Sequence, residues 1–178
     1  GLADRVAFGI QLPDFSIGRD ATGAWALNRP TFGAANVVQP TGDQRQLRIN
    51  EWLADSDRLF RDDRLELYNP DSLPVNMAGL WLTDNPGGKP DKHVIAPLSF
   101  VAGNGYAAFI PDQEIELGPN HLDFSLDANY EMIGLFDSDL KLLDHVLFMS
   151  QRPDVSEGRT PNGQLPQSSI SPPNIGLP

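Results

Sequence analysis

Residues 142–163 read LLDHVLFMSQRPDVSEGRTPNG, and residues 2–23 read LADRVAFGIQLPDFSIGRDATG. Placed over one another without a gap, the two stretches agree at 11 of 22 positions. The shared residues are Leu2/Leu142, Asp4/Asp144, Val6/Val146, Phe8/Phe148, Gln11/Gln151, Pro13/Pro153, Asp14/Asp154, Ser16/Ser156, Gly18/Gly158, Arg19/Arg159 and Gly23/Gly163. Composition alone would give about one or two such pairs. An offset of this length marks a repeated domain rather than a solenoid repeat. Residues 1–36 are therefore expected to be the C-terminal fragment of a preceding repeat, 37–45 a linker, and 46–178 a complete second copy.

Within the duplicated stretch Val6 and Phe8 alternate with Arg5 and Ala7, so residues 2–8 read as a half-buried strand. Pro13 and Asp14 form a turn, 16–19 a short edge-like strand, 20–23 another turn, and 24–27 a last strand carrying Trp25. Residues 30–36 read as an exit loop. The complete copy opens with LRINEWL, residues 47–53. Simple alternation puts Leu47, Ile49 and Glu51 on one face and Arg48, Asn50 and Trp52 on the other. Further short strands are expected at 64–68, 79–83, 93–95, 106–110, 122–126, 132–136 and 142–148. Between them lie the charged excursion ADSDRLFRDD and loops such as NPD and DNPGGKPD. Many short strands without a long amphipathic helix predict an all-β fold, a two-sheet antiparallel sandwich.

The chain has 178 residues, 16 Gly and 16 Pro, no Cys, and 24 acidic against 13 basic residues, a net charge of −11. Zero cysteines exclude a disulfide framework. An acidic chain without a basic stripe is a poor nucleic-acid binder, so no nucleic-acid partner is expected. No apolar run approaches the roughly 18 residues of a membrane span, so no membrane insertion is expected.

The segments INEWLAD, LELYNP and GLWLTD, followed by HLDFSLDANYEMIGLFDSD and LLDHVLFMSQRPDVSEGRTPNG, resemble the lamin tail domain family. The resemblance covers residues 47–178, and 2–36 resembles the end of another copy. It implies an immunoglobulin-like β-sandwich. Bacterial relatives of this family are repeated or appended modules of large secreted or surface proteins, and the tandem arrangement here is of that kind. The resemblance therefore implies an extracellular or cell-surface location, and it brings no catalytic residues with it.

Several residues are candidates for chemistry. Asp55, Asp57, Asp137 and Asp139 lie in loops, and hard cations such as calcium take several loop oxygens. The same residues are equally suited to capping turns. Trp52, out of phase with Leu47 and Ile49, is a candidate face for stacking on a sugar ring. Tryptophan also fills sandwich cores. Glu51 and Glu66 could meet across adjacent strands as an acid pair, although general acid–base work would require a cleft. Histidines 93, 121 and 145 have no zinc-ligand spacing. Asp144 and Arg159 recur as Asp4 and Arg19, and a charge kept in both copies is expected to be paired, so Arg159 is expected to contact an acid of its own domain, Asp144, Glu51 or Glu66.

These readings favour a non-catalytic extracellular structural or interaction module of a larger multidomain protein, serving spacing, adhesion or support of neighbouring domains. The alternative is a ligand-binding module for carbohydrate or calcium. No other cofactor is expected. The expected partners are neighbouring domains of the same protein, with self-association possible through 1–36. That segment is expected to form main-chain bonds from residues 4–8 to a strand outside it, on another molecule or on its own sandwich.

Overall fold

The computed structural model describes residues 1–164, 167–170, 173 and 175. The far end of the predicted 46–178 unit lies outside the described residues. The N-terminal part carries β1 (Ser16–Arg19), β2 (Trp25–Arg29) and β3 (Val37–Val38). The larger unit carries β4 (Arg48–Leu53), β5 (Arg64–Tyr68), β6 (Val75–Asn76), β7 (Trp81–Thr83) and β8 (His93–Val94). It continues with β9 (Phe100–Val101), β10 (Tyr106–Pro111), β11 (His121–Leu122), β12 (Glu131–Phe136), β13 (Leu142–Phe148), β14 (Ser156–Arg159) and β15 (Gln167–Ile170). The only helical pieces among the described residues are two 3-10 turns, Gln44–Gln46 and Ile115–Leu117. The fold is all-β.

The larger unit is a sandwich of a six-stranded sheet, β11-β10-β5-β4-β14-β15, and a four-stranded sheet, β13-β12-β7-β8, with the small ladder β6-β9 beside them. Pairing is antiparallel except for β10 with β11. Alternation along the strands aims Leu65 and Leu67 of one sheet at Ile133, Leu135, Val146 and Phe148 of the other. Together with Leu47 and Ile49 they form one buried cluster.

Strand β4 departs from the simple reading. Ile49 faces Leu67, but Glu51 faces Glu66 and Trp52 faces Leu65, because Asn50 is an extra residue in a β-bulge. A bulge restarts the alternation one residue late. Trp52 therefore follows Ile49 into the core, fully buried and with its ring 5.8 Å from that of Phe148. Glu51 turns to the opposite face. The Asn50 side chain uses the space the bulge creates: its Nδ2 donates to Glu66 Oε1 at 2.8 Å, and its Oδ1 accepts from Gly163 N at 2.8 Å.

The N-terminal part forms a three-stranded sheet in the order β1-β2-β3. Val37 and Val38, expected to belong to a linker, pair with Arg29 and Asn28 instead. Residues 2–8, expected to be a strand, belong to no sheet. A strand needs a ladder partner, and residues 142–148 find theirs in β12 and β4's neighbourhood. Among the described residues, residues 2–8 have no such neighbour, and Phe8 is 60% exposed where Phe148 is 2% exposed.

Candidate functional site

In the sandwich, the residues shared by the duplicated stretches converge on β4 and the loop after it. Asp144 Oδ2 accepts from Ile49 N at 2.9 Å, and Gln151 Oε1 accepts from Ala54 N at 2.6 Å. The Asp154 carboxylate accepts from the backbone N–H groups of Asp57, Arg58 and Leu59 at 3.0–3.2 Å. Those donors, Arg58 first, hold the Asp154 carboxyl below its ordinary pKa. Ser156 Oγ donates to Glu51 Oε1, and Gly158 and Glu157 pair with Glu51 and Trp52. Arg159 Nη2 donates to both Asp144 oxygens at 2.9 and 3.1 Å, with both side chains largely buried. Asp144 and Arg159 thus tie β13 of one sheet to β4 and β14 of the other.

The N-terminal copy reproduces the holding half of this arrangement. Arg19 Nη2 donates to both Asp4 oxygens at 2.9 and 3.1 Å, the same geometry. Arg19 also donates to Gly23 O and lies over the Trp25 ring, 4.2 Å from its centroid. Its side-chain hydrogen bond holds the Asp4 carboxyl below the ordinary range. Asp14 and Asp154 both adopt a left-handed backbone, φ 61° and 56°, and so do Gly23 and Gly163. Strand β1 pairs with β2 as β14 pairs with β15, with two more residues in the second hairpin connection. The receiving strand is the difference. β14 lies between β15 and β4, whereas β1 is an edge. Beside that edge is an open groove of about 460 Å³ lined by Val6, Phe8, Gln11, Phe15, Ser16, Ile17 and Trp25.

A second contact surface joins the two parts. Gly9 N donates to Pro97 O at 2.8 Å, and Phe100 N donates to Ile10 O at 2.9 Å. Ile10 N donates to Ser99 Oγ at 3.1 Å, and Gln11 Nε2 donates to Leu98 O at 2.7 Å. After β3 in the chain, Gly42 N donates to Pro74 O and Gln44 Nε2 to Asn76 O. A Cβ at Gly9 would lie 2.0 Å from Ser99 Oγ and 3.0 Å from Ala96 Cβ, so a side chain there would push the Ser99 hydroxyl away from Ile10 N. The main-chain contacts expected from residues 4–8 are thus made by residues 9–11, and to a loop of the chain's own sandwich. Sequence reasoning missed Gly9 and Ser99, which carry this joint.

The remaining candidates fall in different places. Trp52 is sealed in the core and offers no face to a sugar; the bulge at Asn50 is the reason. Asp137 Oδ1 accepts from Asp139 N and Lys141 N and so closes the turn between β12 and β13. Asp55 O accepts from Asp154 N, and Asp57 contributes an N–H to the Asp154 carboxylate. No three His, Asp or Glu side chains gather in metal-binding geometry among the described residues, so Asp55, Asp57, Asp137 and Asp139 form no ligand set. Glu51 and Glu66 do meet as cross-strand partners, both buried, with Ser156 and Asn50 bonded to them. They lie outside the groove.

No protein-family model matches the chain, and neither a curated protein nor a solved structure matches it significantly. Among the described residues no helix is long and apolar enough to cross a membrane.

Proposed function

We propose that the chain is a non-catalytic spacing and support module of a larger, extracellular protein, in which sandwich repeats of the lamin tail type are joined in series. The observation that carries this reading is the joint. Four hydrogen bonds fasten residues 9–11 to 97–100, and two more hold residues 42–44 to 74–76. A flexible linker would leave neighbouring repeats independent. Backbone bonds made before β1 and after β3 set their spacing and orientation instead. The immunoglobulin-like form of the sandwich and the lamin tail kinship belong to this proposal, supported by the two-sheet architecture and the duplicated ion pair. The carbohydrate alternative loses its motive, since Trp52 is buried, and of the four loop acids Asp137 spends its carboxylate on a turn.

Spin labels at Thr22 and Leu117, both exposed, test the joint. A rigid joint gives one narrow distance distribution, broadened by Gly9→Val. A distribution already broad in the unaltered chain refutes the reading.

A further inference from the structure

We propose that His93 is an acid-operated clasp between the two sheets: its neutral imidazole holds β8 to the end of β11 through the Asp123 amide, and its protonated form gives up that bond for the Asp123 carboxylate. β8 and β11 are edge strands, one in each sheet of the sandwich. Two contacts join the stretches that carry them. Asp123 N donates to His93 Nδ1 at 3.3 Å, and the Lys92 ammonium lies over the Phe124 ring, 5.3 Å from its centroid. A backbone N–H can only donate, so Nδ1 of His93 is the accepting nitrogen and the ring proton sits on Nε2. The Asp123 carboxylate stands beside this bond, with Oδ1 3.7 Å from the same Nδ1.

A proton taken up by His93 goes to Nδ1, the ring nitrogen that still has its lone pair. Nδ1–H then meets the Asp123 N–H donor to donor, and the bond is lost. The carboxylate of the same residue becomes the better partner, through a charge-assisted bond. Burial opposes the charged form, since the His93 side chain is only 13% exposed. Burial accordingly lowers the His93 pKa, with the Asp123 charge pulling the other way. The clasp is therefore at full strength above the ordinary histidine value of about 6.5 and is lost as pH falls below it. The other ionisable groups nearby have their own partners. Lys92 donates to both Asp84 oxygens at 2.6 Å, and His121, at the start of β11, is bonded to Asp112 at 2.6 Å. Asp91 is exposed on the loop before β8, and β7 brings Leu82 opposite His93 with no ionisable group on the strand. On the β13 side the sheets are tied by Asp144 and Arg159, and an arginine keeps its charge throughout. One tie is thus fixed and the other titrates, so acid acts on the β8–β11 side alone.

The test is an NMR titration of the full chain from about pH 8 to about pH 5, the range in which histidine charges. The chain has three histidines, so each ring can be followed by itself. At the alkaline end His93 is expected in the Nε2–H form. On acidification it is expected to titrate below the ordinary histidine range, and the Asp123 amide proton is expected to shift with the same midpoint. Asp123→Asn keeps the amide and removes the carboxylate, so the midpoint should fall further. Amide protection at 122–124, corrected for intrinsic exchange, is expected to drop about tenfold through the transition, the loss of one hydrogen bond. Protection at 144–146 should hold, and His93→Gln, which cannot titrate, should show no drop at 122–124. The proposal is overturned by an Nδ1–H ring at the alkaline end or by an Asp123 amide indifferent to the His93 titration. It is equally overturned by a midpoint unmoved or raised in Asp123→Asn, or by the same acid loss of protection in His93→Gln. The readings of the unaltered chain decide the first two points whether or not a variant folds.

Discussion

The two copies of one ion pair provide an internal control on what burial does to a charge. Asp144→Ala removes the carboxylate from Arg159, whose side chain is 7% exposed, and removes the acceptor of Ile49 N–H. Breaking a buried pair from one side leaves an uncompensated charge and costs about 3–5 kcal/mol. At about 4 °C per kcal/mol for a domain of this size, the melting temperature should fall by roughly 12–20 °C. Asp4→Ala breaks the same bonds at the same distances, but its pair is 45% and 60% exposed. Water rehydrates both partners there, and the melting transition should stay in place. Calorimetric melts of the two variants and of the double variant Asp144→Leu/Arg159→Met decide the matter. The double variant should recover part of the loss, because removing both charges leaves neither one unpaired. Equal losses in Asp144→Ala and Asp4→Ala would refute the reasoning, as would a double variant less stable than Asp144→Ala.

Three further outcomes are expected. Trp52→Ala should destabilise the sandwich by about 3–5 kcal/mol in urea melts, the cost of a large core cavity, whereas a solvent-facing Trp52 would give almost none. Asn50→Ala should cost about 1–3 kcal/mol, since both Glu66 and Gly163 N lose a partner; a neutral result would show that the bulge does not need its side chain. Burial first, with neighbouring acids adding, raises the Glu131 carboxyl to about 7 and burial raises Asp63 to about 6. The folded state then holds protons that the unfolded chain has released, so their contribution is full below the unfolded values and is lost as pH rises through about 6 and about 7. His93, lowered by burial, acts in the opposite sense at lower pH. Melting temperature should therefore fall between pH 6.5 and 8, and Glu131→Gln should flatten that slope; an unchanged slope refutes the assignment.

What was legible in the sequence depended on whether its cause was local. Ile133/Leu135 and Val146/Phe148 alternate without interruption, and alternation alone fixed their faces. The charged pair was legible for another reason: two residues that recur together must satisfy one another wherever the copy folds. Trp52 was misread because one inserted residue reverses every later face, and the insertion is set by groups far away. Asn50 is held by Gly163, 113 residues on. The joint was illegible because each of its residues looks ordinary alone, yet the duplication does contain a signal for it. Gly9 and Ile10 stand where the second copy has Met149 and Ser150. Met149 is exposed, so nothing there restricts its size. Gly9 lies against Ser99 and Ala96, where a Cβ would displace the Ser99 hydroxyl. Positions shared by the copies therefore mark what each needs to close on a β4-type strand, and this differing pair marks where the first copy leans on the second. Between these two stretches, identities locate the internal latch, and a glycine facing a large residue in the sister stretch locates the joint.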